Sequence, residues 1–588
     1  MPPRKRKTSN SSVTHKQLQQ IGIFHGTKRA KSDLKHPHPN AQQVEDFGIV
    51  LRDFYPPEMS NERCQAYNDG TLERPIEALQ RAYEETAEQR QNIPASDSVV
   101  HWFKSDLRLQ DNRALQMAYQ TAQVHNIPLI CVYILSPEDL TAHLSSPARV
   151  DLTLRTLHLL KQELGERDIP LYMETQEKRK AIPTRMVELC QQWGANHLFA
   201  NLEYEVDELR REARLVRLCA EKGIKFETAH DACVVNPGAV ASQQGKQFAV
   251  YTPWYRAWVA YLKAHPEALE RAATPGANAG DARKHFKELF KSIVPPTPEN
   301  KQLSDSEKKH FHELYPEGEH EAIRRLQAFL KEKAKQYDDS RNFMAVQSTS
   351  VLSPYFASGS LSARTAVCMA REANRNQLDR NDPGYMSWIS EVAWRDFYKH
   401  VLVHWPFICM NKCFKPEFTN VEWEYDRAQF DAWCDGRTGF PIVDAAMRQL
   451  KHSAWMHNRT RMVVASFLSK DLMIDWRCGE RFFMEHLIDG DFASNHGGWG
   501  FGSSTGVDPQ PYFRIFNPLR QSERFDQDGE YIRHWVPELR DIKGSAIHDP
   551  YGRGAGATAQ KNGYPRPMVD HSKSRVRALE RFKKAMQR

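Results

Sequence analysis

The sequence predicts an α/β domain built on a parallel sheet, followed by a domain made of helices alone. Short apolar runs alternate with helical patterns up to about residue 235, and helical periodicity dominates from about residue 301. With 588 residues, the chain is also too long for one compact domain. We therefore expect four segments, which cover 1–97, 98–235, 236–300 and 301–588.

The first segment, 1–97, is predicted to be a basic and largely disordered extension that carries a targeting signal. It contains PPRKRK at 2–7 and a second basic cluster at Lys28, Arg29 and Lys31. A polar segment of this kind cannot bury enough apolar surface to offset the entropy lost on ordering. The basic cluster is typical of a nuclear localisation signal. A nonspecific basic tail and a mitochondrial targeting segment are the alternatives.

The second segment, 98–235, has the strand and helix alternation of a parallel sheet covered on both faces. The predicted strands begin at SVVHWF near 98 and continue with IPLICVYIL (127–135), IPLYMET (169–175), HLFANLEY (197–204) and IKFETA (224–229). The predicted helices cover 150–164, 183–193 and 205–222. No G-x-G-x-x-G follows the first strand, so we expect a Rossmann-like sheet that does not bind NAD in the usual way.

The remaining segments are a connector and a helical domain. Residues 236–300 are rich in Pro, Ala and Gly and include the aromatic stretch YTPWYRAW, so we expect an interdomain connector with a few short helices. From 301 to 588 the pattern is helical and contains most of the thirteen tryptophans. Most of these rings are expected to be core residues, with a minority in redox or stacking roles.

Composition limits the classes of partner. The net charge of +7 is compatible with a basic patch for a polyanion, although many enzymes share it. The ten cysteines are dispersed without a CxxC pair, so we expect reduced thiols and no zinc site. No apolar stretch is long enough to span a bilayer, and no secretory signal core is evident, so no membrane partner is expected.

Several long segments resemble the photolyase/cryptochrome family. These segments are WFKSDLRLQDNRAL (102–115), TSVLSPYFASGSLSAR (349–364), WISEVAWRDFYKHVL (388–402), the stretch 438–501 and PYFRIFNPLRQSERFD (511–526). The resemblance covers roughly 98–585. It implies an α/β antenna domain joined to an all-α FAD-binding domain. It also implies a monomer that repairs pyrimidine dimers in single- or double-stranded DNA, by electron transfer from excited FADH⁻ to the flipped-out dimer under blue light and without a metal.

Within the family, the sequence looks most like class I cyclobutane-dimer photolyases of the fungal type. WMHNRTRM carries Asn458 and Met462, where the (6-4) photolyases use a pair of histidines. These two residues are four apart, so they share one helix face. By the resemblance, Glu391, Trp394, Asn458 and Met462 are the catalytic residues. A protonated Glu391 would donate a hydrogen bond to the thymine radical anion, and an ion pair with Arg395 is the alternative for this carboxylate.

The resemblance also implies the cofactor contacts. The FAD-binding residues are Tyr337, Thr349, Ser350, Leu352, Ser353, Glu391, Asn458, Asp489, Asp491 and Asn495. Asn495 would face flavin N5, and the hydroxyls of TSVLS suit phosphate oxygens at the start of a helix. Taken alone, TSVLS could be a simple helix cap, and Asp489 and Asp491 could form a turn around Gly490.

Two further groups follow from the resemblance. Trp499, Trp476 and Trp423 match the three tryptophans that carry electrons to the flavin during photoreduction, with a purely structural role as the alternative. DNA contacts are expected from Trp394, Arg395, Arg459, Arg461 and Arg514. Position 501 is Phe where related bacterial enzymes have a second tryptophan, so stacking on the dimer is expected to be weaker there.

The resemblance implies an antenna chromophore as well. Glu208 and Cys409 match contact positions for 5,10-methenyltetrahydrofolate, which we prefer over a deazaflavin. Asp207 replaces a common asparagine and Met410 a common lysine, so an empty site is the alternative.

Three other functions remain open at this point. One is a cryptochrome that signals without repair, although little sequence follows the last predicted helix at 572–587. The second is a protein that both repairs DNA and regulates transcription. The third is a DNA-binding flavoprotein without catalysis.

Overall fold

Five strands form one parallel sheet in the order β3-β2-β1-β4-β5. The computed structural model describes residues 61–410, 412–509 and 511–587. The strands are β1 (Ser98–Phe103), β2 (Leu129–Leu135), β3 (Leu171–Thr175), β4 (Ala195–Asn201) and β5 (Lys225–Ala229). β1 and β2 are buried along their whole length, which explains their continuous apolar runs. The predicted parallel sheet is confirmed.

The strand order reverses direction at β1, which pairs with β2 on one side and β4 on the other. In such sheets the crevice at the carboxyl ends of the two central strands is the usual ligand position. The helices up to the end of the sheet are α1 (Asn61–Asn68), α2 (Pro75–Glu85), α3 (Ala87–Gln91), α4 (Arg113–His125), α5 (Pro137–Ala142), α6 (Pro147–Gly165), α7 (Ile182–Gln192) and α8 (Val206–Glu221).

The prediction of a largely disordered extension is wrong for residues 61–97, which contain α1, α2 and α3. Leu79 and Ala82 of α2 are buried where this helix packs along α8. Arg74 donates to the carbonyl of His404, 2.9 Å away, so the segment contacts both domains. Its apolar residues recur at helical spacing, which the charged neighbours obscured. The basic clusters and the targeting signal lie outside the described residues.

The connector is more ordered than its composition indicated. It contains α9 (Tyr251–Ala264), a helix of 14 residues, and the short α10 (Ala282–His285). Trp254 and Trp258 of α9 are fully buried. The indole of Trp258 donates to Asp396, 3.2 Å away. The aromatic stretch is therefore part of the core between the two domains.

Beyond residue 300 the described chain is helical, as predicted. Apart from one isolated bridge between Glu424 and Ile474, it contains no strand pairing in its described part. The helices are α11 (Asp305–Leu314), α12 (Glu319–Glu332), α13 (Tyr337–Ser340), α14 (Ser353–Ser358), α15 (Ala363–Ala373), α16 (Pro383–His404), α17 (Arg427–Cys434), α18 (Pro441–Ser453), α19 (Asn458–Ser466), α20 (Trp476–His486), α21 (Phe492–Ser503), α22 (Pro518–Phe525), α23 (Glu530–Trp535), α24 (Gly556–Lys561) and α25 (His571–Met586). Within the described ranges, every helix is too short or too polar to cross a membrane.

A buried charge network joins the sheet domain to the helical domain. The guanidinium of Arg364 on α15 is completely buried and contacts the carboxylates of Asp111 and Asp231. Arg108 forms the other ion pair of Asp231. Ser362 and Thr365 donate their hydroxyls to Asp111 at 2.6 and 2.7 Å. Two positive and two negative side chains are thus enclosed together.

We expect Arg364→Leu to lower the apparent free energy of unfolding by about 3–5 kcal/mol, because it leaves the buried Asp111 without its ion-pair partner and Asp231 with Arg108 alone. Denaturant unfolding followed by circular dichroism measures this loss. Arg427→Leu is the control, since Arg427 forms an exposed pair with Asp431 on α17, and its loss should stay below about 1 kcal/mol. Equal losses in the two variants would contradict the prediction.

Candidate active site

A cavity of about 570 Å³ opens between α12, the segment before α14, and α18. Thr349 and Ser350 line this cavity, as does Phe329, whose ring contacts Tyr337 edge-on at 5.6 Å. Leu352 is buried beside them. Five of the predicted cofactor residues, Tyr337 and the four of TSVLS, therefore lie at or next to one cavity.

Two tryptophans hold the hydroxyls of TSVLS. The indole of Trp388 donates to Ser350 Oγ at 3.3 Å, and the indole of Trp455 donates to Ser353 Oγ at 3.1 Å. Val351 between them has a φ of 49°, which turns the chain sharply just before α14. The segment is thus a fixed polar edge of the cavity.

His457 is a cavity residue that sequence reasoning missed. Burial lowers the pKa of His457 to about 4, and Arg459 and Arg461 add to this effect. The ring is therefore neutral at pH 7. Its Nδ1 accepts the backbone N–H of Arg459, so Nε2 carries the proton. The buried His457 ring also has the backbone of Arg341 as a hydrogen-bond partner, which opposes the fall in its pKa, and the ring lines the cavity. The sequence feature that could have identified His457 is its position directly before Asn458, which was a predicted site residue.

The three predicted cofactor residues of LIDGDFASN occupy different environments. Asp489 is buried and pairs with Arg461 at 2.8 Å, while its Oδ1 has no partner within the described chain. Asp491 caps α21 by accepting the Ser494 N–H and pairs with Lys399 at 2.9 Å. Asn495 donates its amide to the carbonyl of Glu480 at 2.9 Å. The unpartnered Oδ1 of Asp489 fits a polar group of a bound flavin nucleotide.

Glu391 lies on α16 with about a third of its side chain exposed. It forms an ion pair with Arg341, and not the pair with Arg395 that was the alternative at the level of sequence. Burial raises the pKa of the Glu391 carboxyl, and Arg341 and Arg459 oppose this increase. Arg395 instead donates to the carbonyl of Ala232 and lines a second cavity of about 200 Å³ between the domains. The side chain of Arg395, which was predicted to contact DNA, therefore lies at this second cavity and not beside Glu391.

The other predicted catalytic residues lie on neighbouring helices. Trp394 is one turn after Glu391 on α16 and stacks on the ring of Tyr251. Asn458 is exposed at the first position of α19, and Met462 lies one turn later, half-buried. α16 and α19 both pack on α21, which carries the half-buried Phe501.

Two arginines lie near Glu391, Arg341 and Arg459, and a third, Arg524, lies near Arg459; we call the three the arginine cluster. Arg459 donates to Asn342 Oδ1 at 2.6 Å, and Arg459 and Arg524 lie over the ring of Phe525 at 4.6 and 5.1 Å. Burial and the other two arginines lower the pKa of Arg459. Of the predicted DNA-contacting arginines, only Arg459 belongs to this cluster, because Arg461 pairs with Asp489 and Arg514 lies exposed after α21.

The three tryptophans predicted for electron transfer are all buried. Trp499 packs against Gly479 of α20, and Trp476 is the first residue of that helix. The backbone N–H of Glu424 bonds to the carbonyl of Met473, which brings Trp423 next to the segment before α20. Trp433, which the sequence reasoning missed, also contacts the Trp499 ring, edge-on at 6.0 Å.

The predicted antenna residues are neighbours, but both are buried. Cys409 receives the backbone N–H of Val206 at the start of α8. Glu208 pairs with His143 and Arg179. Burial alone would raise the pKa of the Glu208 carboxyl, but His143 and Arg211 lower this pKa to about 2. Asp139, His143 and Glu208 could group around a cation, but Arg179 already pairs with both carboxylates.

The chain matches two family models. The model for DNA photolyase matches residues 99–274, and the model for the FAD binding domain of DNA photolyase matches residues 388–584. A deoxyribodipyrimidine photo-lyase from Neurospora crassa is 57% identical over 94% of this chain and 92% of its own. A mitochondrial deoxyribodipyrimidine photo-lyase from Saccharomyces cerevisiae is 32% identical over 96% of this chain and 98% of its own.

Solved structures show the same architecture. A class III photolyase from Agrobacterium tumefaciens superposes with a TM-score of 0.73 at 31% identity, covering 84% of this chain and 98% of its own. A cryptochrome from Synechocystis superposes with a TM-score of 0.68 at 25% identity, covering 82% of this chain and 98% of its own.

We expect Asp491→Asn to destabilise the protein by about 3–5 kcal/mol at neutral pH, because it leaves the buried Lys399 without its anion. Burial would raise the pKa of Asp491, but Lys399 and Arg395 lower it below its ordinary value. A carboxyl with a depressed folded-state pKa stabilises the fold above the unfolded pKa of about 3.9, and this stabilisation is lost as the pH falls further.

Thermal unfolding at a series of pH values tests this prediction. The difference in Tm between wild type and Asp491→Asn should be constant from pH 7 to pH 5 and shrink below about pH 4. Asp435→Asn removes an exposed carboxylate from α17's C-terminal end and is the matched control. A difference that does not depend on pH would show that the charge on Asp491 is not what stabilises the fold.

Proposed function

Because the chain belongs to the DNA photolyase family, we propose that it is a deoxyribodipyrimidine photo-lyase, which repairs cyclobutane pyrimidine dimers in DNA under blue light. One observation carries this proposal. The half-buried Glu391, whose pKa is raised by burial, lies one turn from Trp394 on α16 and pairs with Arg341 of the arginine cluster. A proton donor, a stacking ring and phosphate-binding cations are thus grouped around one point.

FAD in its reduced, anionic form would supply the electron that opens the cyclobutane ring. We assign its binding to the cavity of about 570 Å³, with Thr349, Ser350 and His457 at its wall. Asp489 and Asn495 on the neighbouring segment would approach the isoalloxazine side. The His457 ring is neutral and lines this cavity, so its N–H can donate to a phosphate or carbonyl oxygen in place of the backbone of Arg341.

In the proposal, Glu391 donates a hydrogen bond to the dimer when an electron has been added to it. A carboxyl can do so only when protonated, which burial favours. Arg341 opposes this protonation as long as it pairs with Glu391. If a DNA phosphate binds Arg341, the Glu391 carboxyl loses its counterion and its pKa rises further. Phosphate binding and protonation of Glu391 then favour each other.

Trp394 and Met462 would contact the flipped-out dimer, with Asn458 between dimer and cofactor. A dimer is already poorly stacked and paired, so it costs less to extrude than an undamaged base pair. Phe501 offers a second apolar ring on α21. Selectivity for damage would therefore come from extrusion and stacking, while the arginine cluster supplies affinity without sequence preference.

The remaining roles are also part of this proposal. Trp499, Trp476 and Trp423 would carry electrons to an oxidised cofactor, and the shared α20 contact of the first two supports this assignment. A folate antenna near Glu208 and Cys409 is proposed from the resemblance alone, because both side chains are buried. We propose nuclear localisation and a monomer, with mitochondrial targeting as the alternative that the yeast relative's name suggests.

Dimer repair under blue light tests the proposed function. Purified protein with reduced FAD should restore thymines in a strand that contains one thymine dimer, and should not do so in darkness. Glu391→Ala should repair about a hundredfold more slowly, because a preorganised donor at a developing anion is lost. Glu391→Gln keeps an amide donor and should lie between the two.

The same assay separates repair from signalling. Cofactor binding and photoreduction without repair would contradict the proposed function and favour a cryptochrome-type signalling protein. Repair by Glu391→Ala at the wild-type rate would leave the activity in place and overturn the assignment of Glu391.

The arginine cluster gives a second test through salt dependence. We expect Arg459→Ala to weaken binding to dimer-containing and undamaged duplex DNA alike. The slope of log K against log salt concentration should fall by about 0.9, the value for one phosphate contact. Fluorescence anisotropy over a salt series measures this slope. Arg81→Ala removes an arginine that pairs with Glu73 on the N-terminal segment and should leave it unchanged. A slope unchanged in Arg459→Ala would exclude this phosphate contact.

A further inference from the structure

The aromatic stretch of α9 has no role in the proposed function, yet its first residue lies directly against Trp394. The rings of Tyr251 and Trp394 are stacked with centroids 3.6 Å apart and an angle of 9° between their planes. This is the shortest ring separation among the described aromatic pairs, and it is also nearly parallel. One face of Trp394 is therefore covered by Tyr251.

Tyr251 is held in this position by two hydrogen bonds besides the stack. Its hydroxyl donates to the carbonyl of Ser390 at 2.7 Å and lies 2.8 Å from the Ser390 hydroxyl. Its backbone N–H donates to Asp508 Oδ2 at 3.0 Å. The side chain is almost fully buried. Tyr251 is thus fixed at both ends and has little freedom to leave Trp394.

The contacts of Tyr251 lie on the part of α16 that carries the proposed chemistry. Ser390 directly precedes Glu391, and Trp394 follows one turn later. Residues 390 and 394 are four apart, so they share a face of the helix. Tyr251 bonds to the first and stacks on the second, and it thereby sets the angle of the indole relative to the helix that also carries Glu391.

Covering one face of Trp394 has two consequences for a base that stacks on it. A flipped-out dimer can stack only on the part of this half-buried indole that Tyr251 does not cover; the indole also contacts the rings of Phe397, edge-on at 5.6 Å, and Tyr398, tilted at 5.4 Å. The indole is also ordered before binding, so the entropy of immobilising it is not lost when DNA binds. Undamaged duplex binds through its phosphates, so its affinity does not increase when the indole is ordered in advance.

The backbone contact extends this effect to a loop. Asp508 belongs to the segment after α21, and its φ of 43° places it in the left-handed region. By binding the Tyr251 N–H, Asp508 connects that segment to the start of α9. Tyr251, a residue of the connector, is therefore in contact with both Trp394 and the segment that follows α21.

We propose that Tyr251 is a positioning residue for damage recognition: it backs Trp394, leaves the uncovered part of the indole for the dimer, and increases the preference for damaged over undamaged DNA. This inference rests on the proposed function. It concerns a residue that does not touch the dimer, so its effect must appear in discrimination and not in phosphate affinity.

Tyr251→Leu tests the proposal, because it removes the stack while filling most of the space. The ratio of the Kd for undamaged duplex to the Kd for duplex with one thymine dimer should fall by roughly five- to tenfold. The Kd for undamaged duplex and the absorbance of bound FAD should match wild type. Tyr251→Phe keeps the ring and should restore most of the ratio. Tyr261→Leu removes another half-buried tyrosine of α9, one whose ring contacts His265, and should leave the ratio unchanged.

The possible outcomes are distinguishable. A wild-type ratio in a Tyr251→Leu protein that retains FAD would overturn the role of Tyr251 alone. A ratio reduced equally in Tyr251→Phe would also overturn it, since the ring would then not be the cause. If the leucine variant loses FAD, Tyr251→Met fills the volume with a flexible chain, and the same ratio decides. If wild type itself does not prefer the dimer, the proposed function fails, and this inference fails with it.

Discussion

The enclosed contact of Arg364 with Asp111 and Asp231 is the interaction on which the arrangement of the two domains depends. Asp111 and Arg108 follow β1, Asp231 follows β5, and Arg364 belongs to the helical domain. Charges removed from water are tolerated only when they are paired closely. The network therefore specifies one relative position of sheet and helices, and a shifted interface would leave a buried charge without its partner.

Helix α16 lies at this interface and has two faces with different roles: one anchors the helix, and the other carries site residues. Asp396, Lys399 and His400 contact the loop after β5 and the start of α21. Glu391 and Trp394 lie on the opposite part of the helix, beside the arginine cluster and Tyr251. Because the helix is anchored through one face, the residues on the other face are held rigidly. That rigidity is what a site for positioning a base and a proton requires.

The sequence predicted the sheet well and its surroundings less well. β2 and β4 were evident because apolar runs bounded by turn residues report strands directly. The segment that contains α1 to α3 was missed because the burial of its longest helix, α2, is provided by α8, which is more than 120 residues away in the sequence. Sequence spacing also suggested that Glu391 pairs with Arg395, whereas the structure pairs it with Arg341, 50 residues away. Local spacing shows which residues can meet on one helix, and only the fold shows which partner from another helix is nearer.

The chemistry of Glu391 illustrates why residue identity alone was insufficient. Its protonation depends on the balance between desolvation, which raises its pKa, and two cations, which lower it. Both cations belong to the arginine cluster, so the balance itself would change if DNA phosphates bind there as proposed. A family motif can identify the carboxylate and the tryptophan. The proposed coupling between Glu391 and these arginines depends on the three-dimensional arrangement, because Arg341, Arg459 and Arg524 come from three separate helices or their ends.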